Sequence, residues 1–117
     1  MSKTASYPVV VGAPPKDSID YIEYWVGGQK VTTVKKGDNL EVRVVFTVAS
    51  SGGTIRLCLQ RVPGGGYVCS PDWTRVKGTY YTSWSWTVGY TGSYTIKVDL
   101  FNDGNLVDTK SFPHTVG

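Results

Sequence analysis

Residues Val34–Val48 read VKKGDNLEVRVVFTV, and the order of apolar and polar residues in this stretch decides the fold. Gly37-Asp38 makes a polar turn. Beyond it Leu40, Val42, Val44, Phe46 and Val48 fall on one parity, while Glu41, Arg43 and Thr47 fall on the other. A repeat of two is the period of a pleated strand with one buried and one wet side. The stretch reads as the central strand of a sheet, a scaffold rather than a ligand-binding element.

The same period runs outward in both directions. Upstream, Ile19–Val26 forms a strand that holds Trp25, Gly27-Gly28 breaks it, and Lys30–Val34 resumes. Downstream, Ser50-Ser51-Gly52-Gly53 turns into Thr54–Arg61, with Ile55, Leu57 and Leu59 facing inward. Pro63-Gly64-Gly65-Gly66 closes a hairpin from which Tyr67-Val68-Cys69 returns, and Ser70–Gly78 reads as an irregular crossing. Thr79–Val88 places Trp84, Trp86 and Val88 on one face, and Tyr81, Ser83 and Ser85 on the other. Tyr94, Ile96, Val98 and Leu100 alternate with Thr95, Lys97 and Asp99. Asp103-Gly104 then supplies the positive φ angles of a tight hairpin before a last strand, Leu106–Phe112. A straight ladder from that turn sets Asp99 opposite Asp108 and Lys97 opposite Lys110, an exposed charge checkerboard.

No segment carries helical periodicity. About seven short strands in 117 residues, with turn signals every 8–12 residues, argue for an all-β, two-sheet antiparallel sandwich. The chain divides into an N-terminal extended arm, residues 1–17, and one domain, residues 18–117. In the arm, Tyr7, Val9, Val10 and Val11 form a β-prone run ahead of Pro14-Pro15, which stiffens the connection. That run suits an added strand or tether on a sheet edge, its own or a neighbour's.

VKKGDNLEVRVVFTV with its Gly-rich turn, together with Thr91-Gly92-Ser93-Tyr94-Thr95-Ile96-Lys97-Val98, Asn102-Asp103-Gly104, Val107 and Phe112, resembles immunoglobulin-like sandwiches. It is most similar to the cell-adhesion-related domains of bacterial and archaeal surface proteins. The resemblance implies an immunoglobulin-like fold of about seven strands over residues 18–113. It also implies a tyrosine corner at Tyr94, whose hydroxyl ties a turn to the start of its strand. Ser50-Ser51-Gly52-Gly53 departs from the Asn-x-Gly usual after the second strand of that family.

Cys58 and Cys69 flank the Pro63-Gly64 turn symmetrically and so fall opposite one another. Leu57 and Leu59 face the core, which turns Cys58 outward with Arg56 and Gln60. The pair points to a disulfide and an oxidising setting, with two free thiols as the alternative. Two Cys and one distant His do not make a four-ligand zinc set, and no cofactor or metal site is expected.

Function is bounded mostly by what does not assemble. Net charge is +3, but the cations are scattered and the longest run is Lys35-Lys36, unlike the stripe of a nucleic-acid binder. No apolar run reaches membrane-span length, and Met1–Ser6 lacks the apolar centre of a secretion signal. The sole His, His114, follows Pro113 near the C-terminus and reads as surface. Glu23 and Glu41 are the only glutamates, with nothing in the sequence pairing them in a cleft. The expectation is a non-enzymatic structural or adhesive module on a cell surface or virion, with a protein partner or self-assembly. The alternative is a carbohydrate-binding module that stacks sugars on Tyr67, Trp73 and Tyr81.

Overall fold

The computed structural model describes residues 16–49 and 52–117. The β-prone arm residues Tyr7, Val9, Val10 and Val11, and Ser50-Ser51 of the turn, lie outside the described residues. The described residues hold nine strands and no helix. They are β1 (Ser18–Val26), β2 (Gln29–Val31), β3 (Asn39–Val48), β4 (Gly53–Val62), β5 (Tyr67–Cys69), β6 (Trp73–Arg75), β7 (Gly78–Thr87), β8 (Gly92–Asn102) and β9 (Asn105–Val116).

Two antiparallel sheets form an immunoglobulin-like sandwich. One has the order β2-β1-β3-β7, and the other β5-β4-β8-β9, with β6 also on β4. The quoted stretch is central, since β3 pairs with β1 on one side and with β7 on the other. Its even-numbered residues Leu40, Val42, Val44, Phe46 and Val48 are buried against Ile55, Leu57 and Leu59 of β4 and Ile96, Val98 and Leu100 of β8. Alternation by two gives each strand one apolar face, and burying two such faces against each other makes the core.

Four features differ from the sequence reading. The crossing after Cys69 contains a short strand, β6, because Trp73–Arg75 pairs with the start of β4. The last strand continues through Pro113 to Val116. β9 is an edge strand, where a missing N–H breaks no ladder. The charge checkerboard does not form. A bulge between Leu100 and Phe101 in the β8–β9 ladder sets Asp99 opposite Thr109 and Leu100 opposite Asp108. That shift aims Asp108 at the other sheet, where one carboxylate oxygen accepts the Ile19 N–H at 2.8 Å and pairs with Lys110 at 3.1 Å. Burial raises the Asp108 pKa, but the Ile19 N–H, Lys110 and the Thr109 N–H outweigh it and hold the carboxyl below its ordinary range.

The fourth difference is His114, which is half-buried in β9 rather than on a free surface. Its ring lies 5.4 Å from that of Tyr24 and 6.0 Å from that of Tyr94, and neither ring nitrogen has a hydrogen-bond partner. Burial, and then the charge of Arg61, hold its pKa below the ordinary imidazole value.

The two flanks of the sandwich differ. On the β1/β9 flank, Asp108 clamps Ile19, Val34 bridges Val116, and the Gly117 N–H donates to the Val34 carbonyl at 3.0 Å. One end is tied by buried Asp17, which accepts the Ala49 N–H at 2.8 Å and the Asn102 amide at 2.6 Å. On the opposite flank, β7 ends its sheet, and no strand among the described residues pairs with its outer edge.

Candidate functional site

The wet face of the four-stranded sheet is built by the residues that alternate with the core. A bulge between Ile19 and Tyr21 resets β1, so Ile22, Tyr24 and Val26 pack inward and Tyr21, Glu23 and Trp25 point out. Register then aligns three rows across β1, β3 and β7: Tyr21-Val45-Tyr81, Glu23-Arg43-Ser83 and Trp25-Glu41-Ser85. Tyr21 and Tyr81 are 50% and 58% exposed, so the upper row is an aromatic platform open to solvent.

Arg43 organises this face. Its guanidinium carbon lies 3.9 Å from the centroid of the Trp25 ring and 5.1 Å from that of Tyr81, while its Nε donates to Glu41 at 2.9 Å. The Trp25 indole N–H donates to Glu23 at 3.0 Å, and Lys30 pairs with the other Glu23 oxygen at 3.2 Å. Trp25 therefore has both its plane and its polar edge fixed. The Trp25 bond and then Lys30 hold the Glu23 carboxyl below its ordinary range. An ionised, ion-paired carboxylate is poorly suited to donate a proton, as one of a glycosidase's two carboxyl groups must.

A second feature is the edge of β7. Tyr80, Thr82, Trp84 and Trp86 point between the sheets but remain half-exposed, because nothing among the described residues closes that side. A groove of about 280 Å³ runs there between Trp84 and Trp86 on one wall and Val68 with the Gly64–Gly66 loop on the other. Arg61 reaches in from β4 and stacks over Tyr90 at 4.7 Å and Trp86 at 5.6 Å.

The three aromatic residues singled out in the sequence do not come together. Tyr81 is on the face just described. Tyr67 stands in β5 of the other sheet, where its hydroxyl donates to Asp99 at 2.7 Å. Burial and then that carboxylate push its phenol up to about 12. Trp73 is in β6, packed against the core with Arg75 over its ring at 5.5 Å. The residues the sequence reading missed are Trp25, Tyr21 and Arg43. Their shared parity with Glu41 was the available signal, but apolar residues on both faces of β1 obscured it. Cys58 and Cys69 are directly opposed and form a disulfide, and Cys58, expected to face outward, is buried. The Tyr94 hydroxyl donates to the Thr91 carbonyl at 3.1 Å, as a tyrosine corner requires.

No protein-family model matches the chain, and no curated protein matches it. Among solved structures it is similar to a Niemann-Pick type C2 protein from Japanese carpenter ant, at 10% sequence identity and a TM-score of 0.55. The match covers 91% of this chain and 96% of that one. At that identity the likeness is one of fold, and it supports the two-sheet sandwich. The resemblance to surface-adhesion domains holds at the coarser level of the immunoglobulin-like sandwich, without a bacterial adhesion family being shown.

Proposed function

We propose that this protein is a non-enzymatic structural or adhesive module that assembles by strand addition at the outer edge of β7. One observation carries this reading. β7 is ten residues long, GTYYTSWSWT, and has neither a charged residue nor a proline. Natural proteins blunt exposed edges with charges, prolines, bulges or a covering segment. An edge of this length, with no charge, proline or covering strand among the described residues, suits a partner strand, which would gain main-chain hydrogen bonds and place alternate side chains in the Trp84–Trp86 groove.

The occupant proposed is Tyr7–Val11 of a second copy. β1 and β7 each run antiparallel to β3, so they run parallel to each other. To pair antiparallel with its own β7, the arm would have to reverse direction between Val11 and Ser18. Pro14-Pro15 lies within that span and favours an extended run. Reaching a neighbour needs no reversal. The Cys58–Cys69 bridge supports an oxidising setting such as a cell surface or virion.

Size-exclusion chromatography with light scattering, run over a concentration series, tests the reading. The full chain is expected to associate. Deleting residues 1–15, or placing a charge on the edge with Ser83→Lys, should leave monomers with an unchanged far-UV spectrum. A full chain that stays monomeric, or association that survives both changes, overturns the reading.

A further inference from the structure

We infer that the outer face of the four-stranded sheet carries a second site, a cleft walled by Trp25 that binds neutral glycans. This site borders the β7 groove, sharing Ser85 and Trp86 with it, but it opens on the outer face of the sheet and its ligand is a sugar rather than a strand. The cleft measures about 350 Å³ and is lined by Trp25, Asn39, Glu41, Ser85, Trp86 and Thr87, with the Gly27-Gly28 turn at its rim.

The ligand class follows from the chemistry of these groups. An indole wall offers a flat apolar surface for the C–H face of a sugar ring, and the remaining lining is almost entirely hydrogen-bonding. The Asn39 carbonyl oxygen accepts from the Thr87 hydroxyl at 2.8 Å, which leaves the Asn39 amide N–H groups to donate. Glu41 has one oxygen bound by Arg43 and a second free to accept. The Ser85 hydroxyl both donates and accepts. A ring bearing several hydroxyl groups matches such a mixed set.

Charge narrows the class further. Glu41 is paired with Arg43 and Glu23 with Lys30, so the formal charges on this part of the face cancel. A polyanion or a polycation would find no complementary field here, whereas a neutral polyol requires none. The site is also held in place before any ligand arrives. Arg43 lies against the Trp25 ring at 3.9 Å, and Glu23 accepts the indole N–H. A side chain already fixed loses little entropy on binding.

The platform extends beyond one sugar unit. Tyr21 lies four residues from Trp25 on the same face of β1, about 13 Å along the strand. Tyr21 and Tyr81 flank Val45 in one row and are both exposed. A single ring cannot touch both Trp25 and that row, while an oligosaccharide can. Affinity should therefore rise with chain length.

Isothermal titration of the intact chain against neutral hexasaccharides of glucose, xylose and mannose, with the matching monosaccharides, tests the site. At least one hexasaccharide is expected to bind saturably and at least tenfold more tightly than its monosaccharide. Trp25→Ala should abolish that binding. Ser85→Arg, which fills the cleft from β7, should weaken it at least tenfold. Tyr67→Phe on the other sheet and deletion of residues 1–15 should leave it unchanged. No saturable binding across the panel, or binding unaffected by Ser85→Arg, overturns the inference. Light scattering on the same samples reports assembly separately, so failure here is distinguishable from failure of strand addition.

Discussion

His114 shows how much a single residue's meaning depends on where its strand ends. With the last strand stopping at Phe112, it reads as a surface group on a tail. With β9 continuing to Val116, its ring meets Tyr24 and Tyr94, and both nitrogens are buried without partners. Arg61 is the cation whose field reaches it, and the neighbouring Tyr24 phenol is itself pushed up to about 12 by burial. The folded-state pKa of His114 is therefore below that of the unfolded chain, about 6.5. As pH falls, the unfolded chain takes up the proton first. The stability contribution is complete above that value and is lost as pH falls toward the folded pKa. His114 is the sole histidine, so the difference between the chain and a His114 variant from pH 7.5 to 5.5 reads its contribution. Chemical denaturation across that window should show stability declining as pH falls, and His114→Gln should flatten the decline. One group cannot contribute more than about 1.4 kcal/mol per pH unit, and partial exposure of the ring makes the effect smaller. Identical slopes in the two proteins would mean that His114 is already solvated.

At the scale of elements, the long strands were legible because a buried face must alternate. Leu40–Val48 and Ile96–Leu100 have their inward sets where the period of two puts them. The Asp103-Gly104 turn was legible for a local reason, since its φ angles of 51° and 83° are those a tight hairpin demands. The bulge just beyond it was not. Nothing in Asn105-Leu106-Val107-Asp108 marks Val107 as the extra residue, and the reach of Asp108 to the Ile19 N–H accompanies the slip in register. The aromatic face suffered from the same kind of slip in β1, where a bulge after Ile19 decides that Trp25 points out and Tyr24 in. Tyr67, Trp73 and Tyr81 were legible as aromatic but not as members of three separate surfaces, because which sheet a short strand joins is a tertiary fact. The β4–β5 hairpin gives a prediction at this scale. Its disulfide joins residues eleven apart, a short loop, so chain entropy assigns it about 2–3 kcal/mol. Cys58 is buried, so the bridge is best removed with Cys58→Ala and Cys69→Ala, which should lower the urea midpoint by that equivalent. The far-UV spectrum should stay unchanged, because Leu57 and Leu59 secure β4 to the core from its other face. Loss of the sandwich spectrum in that variant would show that the hairpin is needed for the fold itself.

At the scale of the whole molecule, the decisive feature is asymmetry between the two flanks. One flank is stitched by Asp108 to Ile19 and by the Val34–Val116 bridge, while on the other a ten-residue strand has an edge that no strand among the described residues covers. In many immunoglobulin-like sandwiches a further strand lies beside the equivalent of β7. Here the segment that could take that place, Trp73–Arg75, pairs with β4 in the opposite sheet. Among the described residues that edge is therefore open, and Tyr7–Val11 of a second copy is the segment proposed to fill it. Hydrogen exchange makes this quantitative, because an amide without a partner exchanges with little protection while one in a central ladder waits for larger openings. In the chain lacking residues 1–15, the amides of β7 that do not bond to β3 should exchange far faster than those of β3 and β8. In the full chain at concentrations where it associates, those same β7 amides should gain protection while β3 and β8 change little. Ser83→Lys should remove that gain without slowing or speeding exchange in the core strands. Equal exchange of the outer β7 amides in the truncated and associated proteins would mean that the edge stays bare and that copies meet, if they meet, through another surface.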